Sequence, residues 1–245
     1  MTLRKLICVA IIFALALSTL CSCGGTEVSA DELIATAEEA LKSESYSVNM
    51  RVLYSSENEE LKTAIGAFND PTAKVLVDKE NFSIETTTAK SGVAEKQTYT
   101  LVDGKLYSAY EYSGYKTVNE LPYDEATVAE LKTALGEGAN ISVNDFETAT
   151  VETEKNATVI TCTEVKDEAL NSLIASIQQQ LDKHFIVVTI KDVTLTVQLV
   201  DGKYDSTSLE CIYHLTTESD VYVLNMTLNA KFNYGEVEIS VPTVS

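Results

Sequence analysis

The chain of 245 residues carries 37 Asp+Glu against 18 Lys+Arg, a formal net charge of −19. So acidic a balance excludes recognition of DNA or RNA through phosphates and adsorption to anionic lipid by charge alone. With 45% hydrophobic residues, 3 Pro and 10 Gly, the chain is neither disordered nor of low complexity, and its length admits one or two domains with a sizeable core.

Arg4 and Lys5 form a short positive region, and an uncharged apolar run follows from Leu6 to Leu17. A run of about a dozen residues is too short to cross a bilayer as a helix, so it reads as a secretory signal. It ends in Leu20-Cys21-Ser22-Cys23-Gly24-Gly25, which resembles the bacterial lipobox: Leu three before the modified Cys and a small residue just before it. Cys23 fits that register. Cys21 does not, because Leu20 precedes it. The competing reading is an ordinary cleaved signal with a chance Cys. On the lipobox reading, residues 1–22 are a signal peptide, Cys23 carries a diacylglyceryl group, 23–29 is a tether, and 30–245 is a single domain. Two acyl chains anchor stably where one does not. Loss of Arg4 and Lys5 leaves 16 basic against 37 acidic residues, a charge of −21. Membrane attachment then rests on the lipid, at the outer face of a bacterial cell membrane.

Ser29-Ala30-Asp31-Glu32 is a capping box, and Leu33, Ile34, Ala37, Ala40 and Leu41 share one helical face, predicting a helix that ends near Ser43. Strand sequence begins at Tyr46-Ser47-Val48 and continues in Lys74–Val77, Phe82–Thr88 and Thr98–Val102. Glu57-Asn58-Glu59-Glu60 reads as a solvated loop. Asp103-Gly104 marks a hairpin turn into Lys105–Tyr112. The tyrosines Tyr107, Tyr110, Tyr112 and Tyr115 read as strand sequence near a sheet edge, with stacking on sugars or peptides as the other reading.

A second helix is predicted over Glu125–Leu135, with Val128, Leu131 and Leu135 on one face and Gly136 as its stop. Val159–Val165 is a strand. A third helix spans Asp167–Lys183, where Leu170, Leu173, Ile174, Ile177 and Leu181 form an apolar stripe. Ile186–Val200, Leu209–Thr217 and Val221–Phe232 are three long strands. In the last, Tyr222, Leu224, Met226, Leu228, Ala230 and Phe232 share one face, with Asn225, Thr227, Asn229 and Lys231 on the other. Apolar parity shifts from Ile186, Val188 and Ile190 to Val193, Leu195 and Val197, which predicts a bulge near Lys191-Asp192. A three-residue loop Asp201-Gly202-Lys203 would set Leu199 against Asp205, Leu195 against Leu209 and Val193 against Cys211. Val102-Asp103-Gly104-Lys105 and Val200-Asp201-Gly202-Lys203 recur after similar strands, as a weak repeat or one turn used twice.

The lipobox, the first helix leading into Tyr46-Ser47-Val48, the Asp-Gly-Lys hairpins and the ending Phe232–Pro242, which looks like that group's closing strand, together resemble the LolA/LppX-like bacterial lipoproteins across the whole mature chain. The resemblance implies an α+β fold: a strongly curved antiparallel sheet, an unclosed barrel, with about three amphipathic helices on its concave face. It also implies a lipid or lipoprotein held between sheet and helices. No ligand-contacting residue carries over. The residues themselves offer Leu195, Val197, Leu209, Tyr213, Tyr222, Leu224, Met226 and Leu228 either as cavity wall or as plain core.

Catalytic patterns are lacking. His184 reads as a helix end and His214 as the wet side of a strand, and no nucleophile elbow, zinc-protease, phosphate-loop or EF-hand spacing occurs. The expectation is a non-enzymatic protein with no metal and no cofactor. Its partners are the membrane, through the lipid on Cys23, and a lipid or lipoprotein, with nucleic acid excluded and the oligomeric state open. The alternative is an envelope protein-interaction module with no small ligand. Cys162 and Cys211 remain after the signal leaves, and either form a cross-strand disulfide or act as small buried hydrophobes.

Overall fold

The structure, a computed structural model, describes residues 29–66, 71–79, 81–90, 92–122, 142–181, 186–218 and 220–243. The signal segment, Cys23, most of the tether, the helix expected at Glu125–Leu135 and His184 lie outside them.

The described residues form one antiparallel sheet of eleven strands with three α-helices. The strands are β1 Tyr46–Ser55, β2 Thr72–Asp78, β3 Asn81–Lys90, β4 Val93–Val102, β5 Lys105–Tyr112 and β6 Tyr115–Leu121. After a 3-10 turn at Val143–Asp145 come β7 Phe146–Glu154, β8 Ala157–Val165, β9 Val187–Val200, β10 Lys203–Thr216 and β11 Val221–Tyr234. The helices are α1 Ala30–Ser43, α2 Glu59–Gly66 and α3 Asp167–Leu181. The spatial order is β6-β5-β4-β3-β2-β1-β11-β10-β9-β8-β7. Every neighbour is also a neighbour in sequence except β1 and β11, so among the described residues the sheet is an up-and-down meander, open between β6 and β7. The edges carry charge, with Lys116 and Glu120 on β6 and Glu147, Glu152 and Glu154 on β7. Such residues discourage pairing with another chain.

One face of the sheet is apolar in continuous cross-strand rows. Leu121, Leu106, Leu101, Phe82, Val77, Tyr46 and Tyr234 pair in register across seven strands. Val52, Leu228, Leu209, Leu195 and Cys162 form a row across β1, β11, β10, β9 and β8. The second row is fully packed, and each buried leucine contributes about 1.5–3 kcal/mol. Helices α1 and α3 lie against this half of the sheet. Ala37, wholly buried, and Leu173 belong to its core, with Leu33, Ile34, Leu41, Leu170 and Ile174 packed around them. The expected capping box is formed: Ser29 Oγ accepts from Glu32 N at 3.3 Å, and Glu32 Oε2 from Ser29 N at 3.2 Å.

The bulge expected near Lys191-Asp192 is present. Between the pairs Glu210/Thr194 and Ile212/Lys191, two residues of β9, Asp192 and Val193, face Cys211 alone. Asp192 takes a positive φ of 50°. A second bulge corrects the expected three-residue loop. The turn holds two residues, Asp201 (φ 52°) and Gly202 (φ 74°), so Val200 pairs with Lys203 and Leu199 with Tyr204, not with Asp205. Asp205 is the extra residue, and beyond it Leu195 meets Leu209 as expected. The same positive-φ pair recurs at Asp103-Gly104 and Ser113-Gly114, which matches the twist of the flanking strands. Both Asp-Gly tips are held by an Asn of a neighbouring turn. Asn81 Oδ1 accepts from Asp103 N at 3.2 Å, and Asn156 donates to Asp201 Oδ1 at 3.2 Å.

Three other expectations change. The acidic run at Glu57–Glu60 is not all loop: Asn58 Oδ1 accepts from the N–H groups of Glu60 and Leu61, each at 3.0 Å, and starts α2. The strands β6 and β7 were not foreseen. The ending Phe232–Pro242 is not a closing strand: β11 stops at Tyr234, Gly235 takes φ 135°, and 236–243 runs without ladder pairing.

Residues 187–194 of β9 have no ladder to β8, whose pairing with β9 begins at Cys162/Leu195. Helix α3 supplies a substitute. Gln178 donates to Ile186 O at 2.7 Å and accepts from Val188 N at 2.9 Å. Its amide thus acts as one residue of a missing strand. Gln178→Ala should cost about 1–3 kcal/mol, because two half-buried backbone groups lose their partner, and Leu195→Ala about 2–5 kcal/mol. Chemical denaturation of each variant reads both.

Candidate functional site

The eight residues singled out as wall or core all lie on the apolar face. Seven are buried, and Tyr222 is half-buried. They belong to one cluster with Ile160, Val188, Ile190 and Leu199, on which α1 and α3 rest. Tyr213 and Met226 touch directly, Oη to Sδ at 3.6 Å. Where α1 meets the 3-10 turn, a crevice lined by Ile34, Glu38 and Val143 holds about 20 Å³. That is room for one water and no acyl chain.

Cys162 and Cys211 are both free and buried, as in the second of the two sequence readings, and no bridge joins them. Cys162 lies on β8 and Cys211 on β10, with β9 between them. Two strand spacings are about 10 Å, beyond the reach of a disulfide. Burial pushes the Cys211 thiol up to about 12, against a hydrogen bond with Tyr213 that lowers it. Burial and then the Asp31 carboxylate push Cys162 up to about 11. These thiols are inert hydrophobes rather than nucleophiles.

A ring cluster closes the end of the sheet near the start of β1. Tyr204 stacks on Phe232 at 5.2 Å, and Tyr46 tilts against Tyr234 at 6.3 Å. Lys203 lies 5.3 Å over the Tyr234 ring and pairs with Glu44, just past α1, at 2.5 Å. Burial raises Tyr204, with Glu38 adding to it. Burial, then Glu44, takes Tyr234 up to about 12. Tyr213, wholly enclosed, is raised well above its usual value by burial first.

The middle of the other face is polar, while its end at the start of β11 exposes Val187, Val221 and Val223. Asn49, Lys231, Ser206, Gln198 and Val159 form one cross-strand row, and Arg51, Asn229, Ser208 and Thr196 the next. These two rows line a groove of about 270 Å³. The Asp205 bulge makes this alignment: without the extra residue, Ser206 would stand opposite Val197 and a polar row would meet an apolar one. The groove was missed in the sequence, although its residues are the alternate positions of the amphipathic strands.

His214 is half-buried on this face between Thr189 and Val223, so its cross-strand neighbours form no catalytic group with it. The four tyrosines lie at the β5–β6 edge as expected but divide between faces, since Tyr107 alternates with Tyr110 and Tyr112. Tyr110 donates to Glu95 at 2.8 Å, and Tyr115 is 81% exposed. Among the described residues no group of three His, Cys, Asp or Glu is placed to hold a metal, and no helix is long and apolar enough to cross a membrane.

The raised tyrosines and thiols set an alkaline limit. The unfolded chain gives up these protons from about pH 9 to 10, the folded chain only from about 11 to about 12, so the unfolded state binds fewer protons in that window and stability falls as pH rises. Below pH 9 their contribution is whole. Tyrosinate absorption from the buried rings should appear together with the loss of circular dichroism. Cys162 and Cys211 should react with a thiol reagent only in strong denaturant.

No protein-family profile and no curated protein sequence matches the chain. Among solved structures it aligns with a variant of the GphF dehydratase at 8% identity and TM-score 0.14, covering 82% of this chain and 81% of that one. It aligns with the dehydratase domain from the CurF module of curacin polyketide synthase at 6% identity and TM-score 0.15, covering 84% and 81%. Scores this low carry no argument about fold or function.

Proposed function

We propose that this chain is a lipid-anchored, extracytoplasmic, non-enzymatic binding protein that holds a hydrophobic ligand, a lipid or an acylated protein, between its sheet and its helices. The observation that carries this reading is the continuous apolar face, from Leu121 on β6 to Cys162 on β8, with amphipathic helices laid on part of it. An apolar face must be covered, and an open meander leaves a place for a greasy cover other than the chain itself. The lipobox-like segment ending at Cys23 supplies the anchor, and the likeness to LolA/LppX-like lipoproteins supports a curved half-barrel with its helices on the concave side. A ligand would replace part of the contact between the helices and residues such as Leu209 and Leu228.

A second reading is favoured by one observation: the crevice where α1 meets the 3-10 turn holds only about 20 Å³. On that reading the body is an envelope protein-interaction module with no small ligand. Native mass spectrometry of the unacylated protein separates the two. Co-purified mass in the range of a lipid, released by organic solvent, is the expected outcome. A bare apo mass after incubation with mixed phospholipids, with a stoichiometric protein recovered by cross-linking in cells, would replace the first reading with the second.

A further inference from the structure

Among the described residues β6 has a ladder to β5 and none on its other side, so one edge of it is open. The hairpin decides which backbone groups face that edge. Ser113 and Gly114 form a two-residue turn with φ of 52° and 81°, so the flanking residues Tyr112 and Tyr115 exchange both of their backbone bonds. Bonded and non-bonded positions alternate along an antiparallel pair. Tyr115, Thr117, Asn119 and Leu121 therefore bond to β5, while Lys116, Val118 and Glu120 turn their N–H and C=O groups to the open edge. Side chains follow the same alternation. Leu121 ends the apolar row on one face, and Lys116, Val118 and Glu120 share the opposite face with Glu111.

Charges on an edge deter strand pairing in general, but the order of residues on β6 makes one exception. The strand Tyr115-Lys116-Thr117-Val118-Asn119-Glu120-Leu121 is complementary to itself when two copies run antiparallel about Val118. Lys116 of each copy then meets Glu120 of the other, Tyr115 meets Leu121, Thr117 meets Asn119 and Val118 meets Val118. Lys96, Glu111 and Lys116 stand side by side across β4, β5 and β6, alternate in sign, and stop at the edge on an ammonium. Glu120 of the second copy is the next anion in that row. Glu120 also lies 3.7 Å from Lys105 with both side chains exposed, a long pair that a second cation can share. Tyr115, 81% exposed, would cover its ring against Leu121 at a non-bonded position, where opposite side chains approach most closely. A slip of four residues sets Lys116 against Lys116 or Glu120 against Glu120, and a slip of two sets one of these charges against Val118, so only the register about Val118 opposes unlike charges. We propose that β6 joins two copies of this chain edge to edge about a two-fold axis, through the Lys116–Glu120 pairs and the ladder between them. Such a contact uses the same patch on both copies and therefore closes at the dimer.

One strand from each copy is little beside the roughly 20–30 residues a side of a standard interface, so the dimer is a weak one. Sedimentation equilibrium of the unacylated full chain tests it, at about 0.15 M salt, where repulsion between two acidic bodies is screened beyond about 8 Å. The chain should pass from monomer to dimer as its concentration rises to about 1 mM, and stop there. Lys116→Glu alone, or Glu120→Lys alone, sets like charges against each other twice and should weaken the dimer about tenfold or more. The chain carrying both substitutions again opposes unlike charges and should regain the dimer. A mixture of the two single variants should form a mixed dimer tighter than either forms alone. Neither recovery nor mixing would cure a fold defect. Amide exchange at Lys116, Val118 and Glu120 should slow as the protein is concentrated. A monomer at every concentration overturns the proposal. So does assembly that continues past the dimer, or association indifferent to the charge exchange. A bare apo mass in the lipid experiment leaves this result untouched, because pairing of β6 needs no ligand.

Discussion

Everything in this molecule depends on keeping one face of an eleven-stranded sheet apolar. Side chains alternate across a strand, so a one-residue slip turns a whole strand inside out. Strands β9, β10 and β11 each run fourteen residues, and β11 keeps one parity throughout while β9 and β10 do not. Parity changes twice, at Asp205 in β10 and at Asp192-Val193 in β9. The two are complementary: the first shifts the β9–β10 register by one residue, and the second returns it. Between them lies the stretch in which Leu195 meets Leu209 on one face and Gln198 meets Ser206 on the other. Core and groove are therefore two products of one register.

Much of this was legible in the residues. The capping box at Ser29, the stripe from Leu170 to Ile174, the Asp-Gly turns and the parity change before Val193 are local signals, and each forms the element it announces. The elements not foreseen are those whose sequence states no pattern. β7 is exposed at nearly every position after Phe146, so Glu147–Glu154 shows no apolar alternation. β6 is another mostly exposed edge strand. The Asp205 bulge could have been read from the parity of Tyr204 against Thr207 and Leu209, all buried, but polar Thr207 hides it.

The candidate site was less legible than the fold. Sequence places Leu195, Tyr213 and Met226 on one face, but the difference between a core and a cavity is a matter of volume. The cysteines illustrate the same limit. Two thiols in neighbouring strand segments suggest a bridge, and only the sheet order, with β9 between them, keeps them apart. The groove arises from five strands whose polar positions align only after pairing. No stretch of chain contains it.

The missing β6–β7 ladder has a kinetic meaning. In this ring-like order, each hairpin can form from residues close in sequence, and only β1 with β11 joins the two halves, across pairs such as Tyr46 with Tyr234. That ladder spans nearly the whole domain, so its loop closure is the most expensive contact to make. Among the described strands it also joins the first to be made to the last. Until β11 emerges, β1 exposes the edge that carries Val48, Met50 and Val52, and the β2–β6 and β7–β10 arms are two unconnected sheets. The two arms therefore become one sheet only once β11 has been made.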